Sequence, residues 1–111
     1  MATISNLYID QGSDFSAIVT LNNQTGTSIN LTDYTVKSQF RKSYQSSSAV
    51  NFTVSIYDAA NGKIRMQLPA STSSGVAAGR YLYDVEITSP QGERKRALEG
   101  VVVITPEITK T

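Results

Sequence analysis

The stretch that decides the fold is AGRYLYDVEITSPQGERKRALEGVVVI, Ala78–Ile104. Apolar and polar residues alternate through its first half, a Ser-Pro-Gln-Gly-Glu turn follows, and the second half ends in the apolar run Val101–Ile104. Alternation with a period of two directs apolar side chains to one face of a β-strand and polar side chains to the other. Proline and glycine between two such runs are typical of a turn. The stretch therefore predicts two paired strands in the middle of a β-sheet.

The rest of the chain repeats this alternation, and short turn-forming segments separate the runs. Helical periodicity fits none of the runs, so strands at these short intervals predict an all-β sandwich or barrel. Only Pro69–Gly79 breaks the rhythm, and we expect one helical turn there, capped by Ser71 or Thr72 and ending near Gly79. The alternating runs are Phe15–Leu21, Val36–Arg41, Asn51–Ile56, Lys63–Leu68 and Arg80–Thr88, and Arg94–Ile104 is expected to return as the last strand.

Two residues of the deciding stretch predict finer features. Tyr81 opens a strand after the crossover that ends at Gly79, and immunoglobulin-like sandwiches place there a tyrosine whose hydroxyl bonds back to the loop backbone. Gly100 predicts a β-bulge that would let Leu98 and the valines after it all reach apolar surroundings. We predict one domain over residues 1–111, an immunoglobulin-like antiparallel β-sandwich of about seven strands.

Composition argues against several classes of function. Ten Lys and Arg face nine Asp and Glu in 111 residues, and this net charge of +1 argues against binding to nucleic acid or to anionic membranes. The chain has no cysteine and no histidine, which removes thiolate chemistry and the commonest general base and metal ligand. The opening MATISNLYID carries no secretory signal pattern, and no apolar run approaches the ~18 residues of a membrane span. We therefore expect synthesis in a cytosol.

No catalytic, cofactor or metal site is predicted. The many serines lack a histidine to activate them, and neither a nucleophile elbow nor a phosphate-binding glycine motif occurs. Asp84 and Glu86 lie two apart on one strand, with Arg80 and Arg96 available as cross-strand partners, which predicts a structural charge ladder. The Asp10–Asp14 turn lacks the closing glutamate of a calcium loop, so its carboxylates are interpreted as turn caps. We expect no enzyme.

The segment FRKSYQSSSAVNF, Phe40–Phe52, is a candidate binding loop. It places Arg41, Lys42 and Tyr44 beside a run of serines, and loops carry binding residues on many rigid scaffolds. The alternative is a solvated hairpin tip that bears ordinary surface charges.

The second candidate is the strand after the hairpin. GERKRALE, Gly92–Glu99, places Arg94 and Arg96 on one strand face, where they serve either an electrostatic contact or the protection of an exposed strand edge. The apolar run that follows predicts a strand covered on both faces or a strand whose second face is a protein interface. The apolar residues predicted to contact a partner are Leu82, Val101 and Val103.

Four segments, in order, carry a resemblance to a family: LYIDQGSDFSAIVTL, INLTDYTVKSQFRKS, NGKIRMQLPAS and AGRYLYDVEITSPQGERKRALEGVVVITPEIT. Together they resemble the small immunoglobulin-like structural proteins of tailed bacteriophages, including virion proteins of marine T4-like phages. They are also similar to the N-terminal module of phage upper baseplate proteins. The shared pattern is an acidic-glycine turn, a Leu-Thr-Asp-Tyr segment, a Gly-Lys hairpin, an Ala-Gly-x-Tyr-x-Tyr-Asp strand and a Gly-Val-Val strand.

The resemblance implies a virion structural protein without enzymatic activity. Such a protein is made in the host cytoplasm and docks in many copies on capsid or tail and baseplate subunits, without nucleic acid or membrane partners. Baseplate adaptors continue into a second, fibre-binding domain, whereas this sequence ends at Thr111. We therefore expect a stand-alone accessory, either a capsid decoration protein or a tail component.

A glycan- or host-surface-binding module that acts in phage attachment is the alternative function. Because the chain has no tryptophan, stacking on a sugar would depend on Tyr8, Tyr44 or Tyr57. For the structural role, edge-strand addition through the terminal segments TISNLYI or TPEITKT is a further expected docking mode.

Overall fold

The computed structural model describes residues 3–4, 6–23, 26–43 and 48–106, and these residues form two β-sheets packed on one core. Seven of the strands have four residues or more and two have only two, which confirms the prediction of about seven strands. The strands are β1 (Thr3–Ile4), β2 (Leu7–Asp10), β3 (Phe15–Thr20), β4 (Thr35–Arg41), β5 (Val50–Asn51), β6 (Thr53–Asp58), β7 (Lys63–Leu68), β8 (Gly79–Thr88) and β9 (Arg94–Thr105). A 3₁₀ turn spans Ala59–Asn61, and helix α1 spans Ala70–Ser73.

The strand order is that of an immunoglobulin-like sandwich. The larger sheet has the order β1-β9-β8-β4-β5, and β2 also pairs with β9. The smaller sheet has the order β3-β7-β6. Strands β1 and β2 run parallel to β9, and the other pairings are antiparallel. This two-sheet arrangement is that of an immunoglobulin-like β-sandwich, with β8, β9 and β4 adjacent in the larger sheet and β7 in the middle of the smaller one. The predicted fold class is confirmed.

The core is supplied by the apolar positions of the alternating runs. Ile64, Met66 and Leu68 of β7 are 0–1% exposed, and they belong to the same core cluster as Val85 and Ile87 of β8, which are 0–1% exposed as well. Each such aliphatic side chain contributes roughly 1.5–3 kcal/mol when it leaves water. A chain of aromatic contacts links the sheets at one end, with ring centroids 5.2–6.3 Å apart among Phe15, Phe40, Phe52, Tyr81 and Tyr83.

The predicted tyrosine corner is present at Tyr81. Its phenolic hydroxyl donates a hydrogen bond of 2.6 Å to the backbone carbonyl of Ala77, in the crossover that leads into β8. Its ring meets Phe40 edge to face at a centroid distance of 5.3 Å. The hydrogen bond ties the crossover to the sheet at the point where the chain changes from one sheet to the other.

The predicted bulge exists in β9 but not at Gly100. The β8–β9 ladder shifts its register at Ala97, which is the extra residue of β9, and both Ala97 and Leu98 are buried. Gly100 lies in a regular part of the ladder, so the prediction of a bulge there is wrong. At the bulge two consecutive side chains, Ala97 and Leu98, point towards the core, and the first of them is small and apolar. After the bulge, alternation directs Val101 and Val103 outwards.

The predicted helical turn is also present, but with a different cap. Helix α1 begins after Pro69, which makes no side-chain cap, and it ends at Ser73 rather than near Gly79. Neither Ser71 nor Thr72 caps the helix. Instead, a carboxylate oxygen of Asp14 accepts a 2.7 Å hydrogen bond from the amide of Ala70. The cap comes from 56 positions away in the sequence, which local pattern does not reveal.

Removal of the Tyr81 hydroxyl tests the tyrosine corner. We expect Tyr81→Phe to lower the free energy of unfolding by about 0.5–1.5 kcal/mol, since it removes one hydrogen bond at a carbonyl that water can reach. Tyr8→Phe is the control, because the Tyr8 ring is 69% exposed on the larger sheet. Urea denaturation measures both, and equal stabilities for the two variants would contradict a structural role for the Tyr81 hydroxyl.

Candidate partner-binding face

The side of the larger sheet that points away from the smaller sheet gathers most of the residues predicted to bind a partner. The β4–β8 and β8–β9 registers place Arg41 opposite Leu82 and Leu82 opposite Val101. The neighbouring row of outward residues consists of Arg80 of β8, Val103 of β9 and Tyr8 of β2. We call this surface the outer face, and its apolar and flanking residues are Tyr8, Arg41, Arg80, Leu82, Val101 and Val103.

Leu82, Val101 and Val103 form one contiguous aliphatic cluster on the outer face. Leu82 and Val101 pair directly across β8 and β9, and Val103 lies two positions further along β9. All three are half-buried, and Val103 also pairs with the exposed Tyr8. Single exposed apolar side chains are ordinary, but contiguous ones bordered by arginine and tyrosine are typical of interaction sites.

A charge ladder borders the aliphatic cluster. Arg96 Nε lies 3.2 Å from Asp84 Oδ2, and Arg96 Nη1 lies 3.2 Å from Glu99 Oε2. Asp84 and Glu99 are cross-strand neighbours, so Arg96 offsets the repulsion between two like charges. The predicted pairing of Arg96 with Asp84 is confirmed, whereas Arg80 pairs in the row of Val103 and lies away from the ladder.

The β9 bulge makes this ladder possible. Residues three apart on a regular strand point to opposite faces. Because Ala97 is an extra residue, Arg96 before the bulge and Glu99 after it both lie on the outer face. The same shift brings Val101 and Val103 to that face. One inserted residue therefore sets both the charged and the apolar part of the surface.

The rows enclose a shallow groove of about 570 Å³. Its lining is mixed in charge, with as many cations as anions, so it offers no excess of positive potential to a polyanion. The charged residues that line it are Lys37, Arg41, Arg96, Asp84, Glu86 and Glu99.

Lys42 departs from the predicted set. It follows Arg41 on the next position of the chain and therefore points to the other side of the sheet. Its ammonium lies 4.8 Å from the centroid of the Tyr81 ring, a cation–π contact. Lys42 thus packs against the tyrosine corner instead of joining Arg41 on the outer face.

The remaining predicted residues lie away from the cluster or outside the described residues. Arg94 is exposed and pairs with Thr88 at the far end of the β8–β9 hairpin, on the face of Arg96. Among the described residues, only β8 flanks β9 at this end, so edge protection by Arg94 stays an alternative. Tyr44 lies outside the described residues.

Tyr8 and Arg80 were not predicted as partner contacts. Tyr8 alternates with the buried Leu7 and Ile9, so the sequence pattern does direct it outwards. The pattern does not reveal that β2 pairs in parallel with β9, and this pairing is what brings Tyr8 beside Val103.

Neither a metal cluster nor a membrane helix occurs in the part of the chain that the structure describes. No three acidic side chains gather as a metal site there. No helix there has the length and apolar character needed to cross a membrane.

A double-mutant cycle tests how much the ladder contributes to stability. The Arg96, Asp84 and Glu99 side chains are 50%, 38% and 30% exposed, so water screens both ion pairs. We expect Arg96→Ala and Asp84→Ala to show a coupling energy of about 0.2–1 kcal/mol in urea denaturation, and less in high salt. A coupling several times larger, and insensitive to salt, would contradict this interpretation.

Comparison with known proteins yields distant likenesses of fold. No protein-family model matches the sequence, and no curated protein matches it. Among solved structures, the chain is similar to an internalin-like protein of Listeria monocytogenes, lmo2027, with 13% identity and a TM-score of 0.46 over 96% of this chain and 28% of that chain. It is similar to murine CRIg, with 12% identity and a TM-score of 0.43 over 92% of both chains.

A third similar structure is a family 123 glycoside hydrolase from Clostridium perfringens. Its identity is 8% and its TM-score 0.45, over 97% of this chain and 24% of that chain. The chain thus spans about a quarter of the length of the internalin-like protein and of the hydrolase. None of the three is a phage virion protein. The assignment of the chain to the immunoglobulin-like β-sandwiches rests on its strand order and its tyrosine corner.

Proposed function

We propose that this chain is a non-enzymatic structural protein of a tailed-phage virion, which docks through its outer face on capsid or on tail and baseplate subunits. The phage setting comes from the resemblance of the four sequence segments. The observation that carries the docking role is the half-buried aliphatic cluster of Leu82, Val101 and Val103 beside Arg41, on the face of the larger sheet that points away from the smaller sheet.

The size of the cluster suits a contact repeated many times. Three half-buried aliphatic side chains release only a modest free energy when a partner covers them, at roughly 25 cal/mol per Å² of apolar area. Stable protein interfaces of standard size bury about 1,600 Å² in total, so the surrounding polar residues must also contribute. On a symmetric shell or tube, many copies of a modest contact reinforce one another through avidity.

The charge pattern favours a protein partner. Cations and anions balance in the groove, and Arg96 is already engaged with Asp84 and Glu99. A polyanion requires an excess of lysine and arginine along a continuous track. A protein surface of mixed polarity matches this arrangement, with aliphatic contact at the centre and charged groups at the rim.

Binding to a glycan is the competing function. The exposed tyrosines of the described chain do not form one platform, because Tyr8 lies on the larger sheet and Tyr57 on the smaller. The Arg65 guanidinium lies 4.9 Å from the centroid of the Tyr57 ring and covers part of it. These positions favour protein docking over sugar stacking.

Incorporation into particles tests the proposal. The parent phage is deleted for the gene of this chain, and the infected cells express the wild-type chain instead. We expect this chain to enter the virion. Leu82→Asp should reduce its copy number per particle by at least about tenfold, because the contact must then desolvate a carboxylate together with the Arg41 opposite it. Ser55→Asp is the control, since Ser55 is exposed on the smaller sheet. Quantitative mass spectrometry of purified particles measures all three.

Two results would contradict the proposal. One is the absence of wild-type chain from purified particles, and the other is equal incorporation of Leu82→Asp and Ser55→Asp. Binding of the isolated chain to host-surface polysaccharide, with loss of that binding in Tyr44→Ala, would support the attachment function instead.

A further inference from the structure

We propose that the free edge of β3 is a self-association surface, on which a second copy of this chain adds its own β3 antiparallel to the first. This edge belongs to the smaller sheet, opposite the outer face. The inference therefore goes beyond the proposed function and holds whether or not that function is right.

The edge of β3 is open in the described chain. Strand β3 lies at the end of the order β3-β7-β6, and among the described residues it pairs with β7 alone. The six residues Phe15–Thr20 pair with β7 in unbroken register, without a bulge. An edge strand of this kind presents a row of unpaired backbone amides and carbonyls to another strand.

This edge lacks the features by which proteins prevent strand addition. Charged residues, proline, bulges and short length are the usual means. The sequence FSAIVT of β3 contains no charge and no proline. Every other edge of the two sheets carries at least one such feature: β1 and β5 have only two residues, β2 is short and ends in Asp10, and β6 is bulged at Tyr57.

The core is also incompletely closed along β3. The inward residues of β7 are 0–1% exposed, whereas their partners Phe15, Ala17 and Val19 on β3 are only half-buried. On the other side of the strand, Ile18 is 48% exposed. Both faces of β3 thus have apolar area that an added strand would cover.

A second copy matches this edge by symmetry. In an antiparallel pair with its twofold axis at Ile18, the two Ile18 side chains face each other on the solvent side of the smaller sheet. Ala17 then meets Val19 of the second copy on the core side, and Ser16 meets Thr20. Every contact joins side chains of like polarity, and the strand faces of the two copies coincide as the period of two requires.

The ends of the strand are complementary in charge. Asp14, whose carboxylate also accepts the Ala70 amide, immediately precedes β3, and Lys63 of the neighbouring β7 lies beside its other end, with its ammonium 3.3 Å from Thr20 Oγ1. An antiparallel arrangement brings the acidic end of each copy to the basic end of the other. The contact stops at a dimer, because it uses the free β3 edge of each copy. The combined sheet then ends on the bulged β6 of each copy.

Sedimentation of the intact chain tests the interface. We expect a monomer–dimer equilibrium between micromolar and millimolar concentration. Ile18→Glu should raise the dissociation constant by at least about tenfold, because two carboxylates would oppose each other at the axis. Ser55→Glu is the matched control, since Ile18 and Ser55 flank the same Arg65 from opposite sides. A wild-type chain that stays monomeric at every concentration would overturn the proposal.

A cysteine at the axis tests the register separately. The chain has no cysteine, and opposite residues of an antiparallel pair have Cα atoms about 4.5–5.5 Å apart, within the range of a disulfide. Ile18→Cys should therefore form a covalent dimer under mild oxidation, at least about tenfold faster than Ser55→Cys. A dimer that is insensitive to Ile18→Glu, or equal crosslinking of the two cysteine variants, would place the contact elsewhere and overturn the proposal.

Discussion

The antiparallel ladder between β8 and β9 is the interaction on which the rest of this sandwich depends. Strand β8 also pairs with β4, and β9 also pairs with β1 and β2, so these two strands form the centre of the larger sheet. Their inward side chains, among them Val85, Leu98 and Val102, close the core against β7. Their outward side chains make up the candidate partner-binding face. A single hairpin therefore links the stability of the fold to its surface chemistry.

The bulge at Ala97 connects these two roles. Without an extra residue, alternation along β9 would direct the side chains after Arg96 to the opposite faces, because a shift of one residue reverses the face of every side chain. The bulge instead directs Ala97 and Leu98 both to the core and brings Glu99 next to Arg96. It also leaves Val101 half-exposed beside Leu82. The outer face is thus a consequence of backbone geometry as much as of composition.

Period-two alternation was sufficient to predict the sandwich and its longer strands, and the position of Tyr81 after the Gly79 crossover predicted the tyrosine corner, because each of these depends on local pattern. Features that depend on contacts between residues distant in sequence were not predicted. The cap of α1 is supplied by Asp14, and the parallel pairing that brings Tyr8 to Val103 has no local signal. The presence of Gly100 wrongly predicted the site of the bulge, because the extra residue of β9 is Ala97. Of the predicted site, Arg41, Leu82, Arg96, Val101 and Val103 come together, whereas Lys42 packs on Tyr81.

If the proposed function is right, a virion subunit covers the aliphatic cluster of the outer face. Hydroxyl-radical footprinting with mass spectrometry tests it most directly, by comparing oxidation of Leu82, Val101 and Val103 in the isolated chain and in intact purified particles. Tyr57, which is 54% exposed on the other sheet, serves as the reference. We expect oxidation of the three aliphatic residues to fall in particles relative to that of Tyr57. Unchanged oxidation of the cluster in particles that contain the chain would contradict the account.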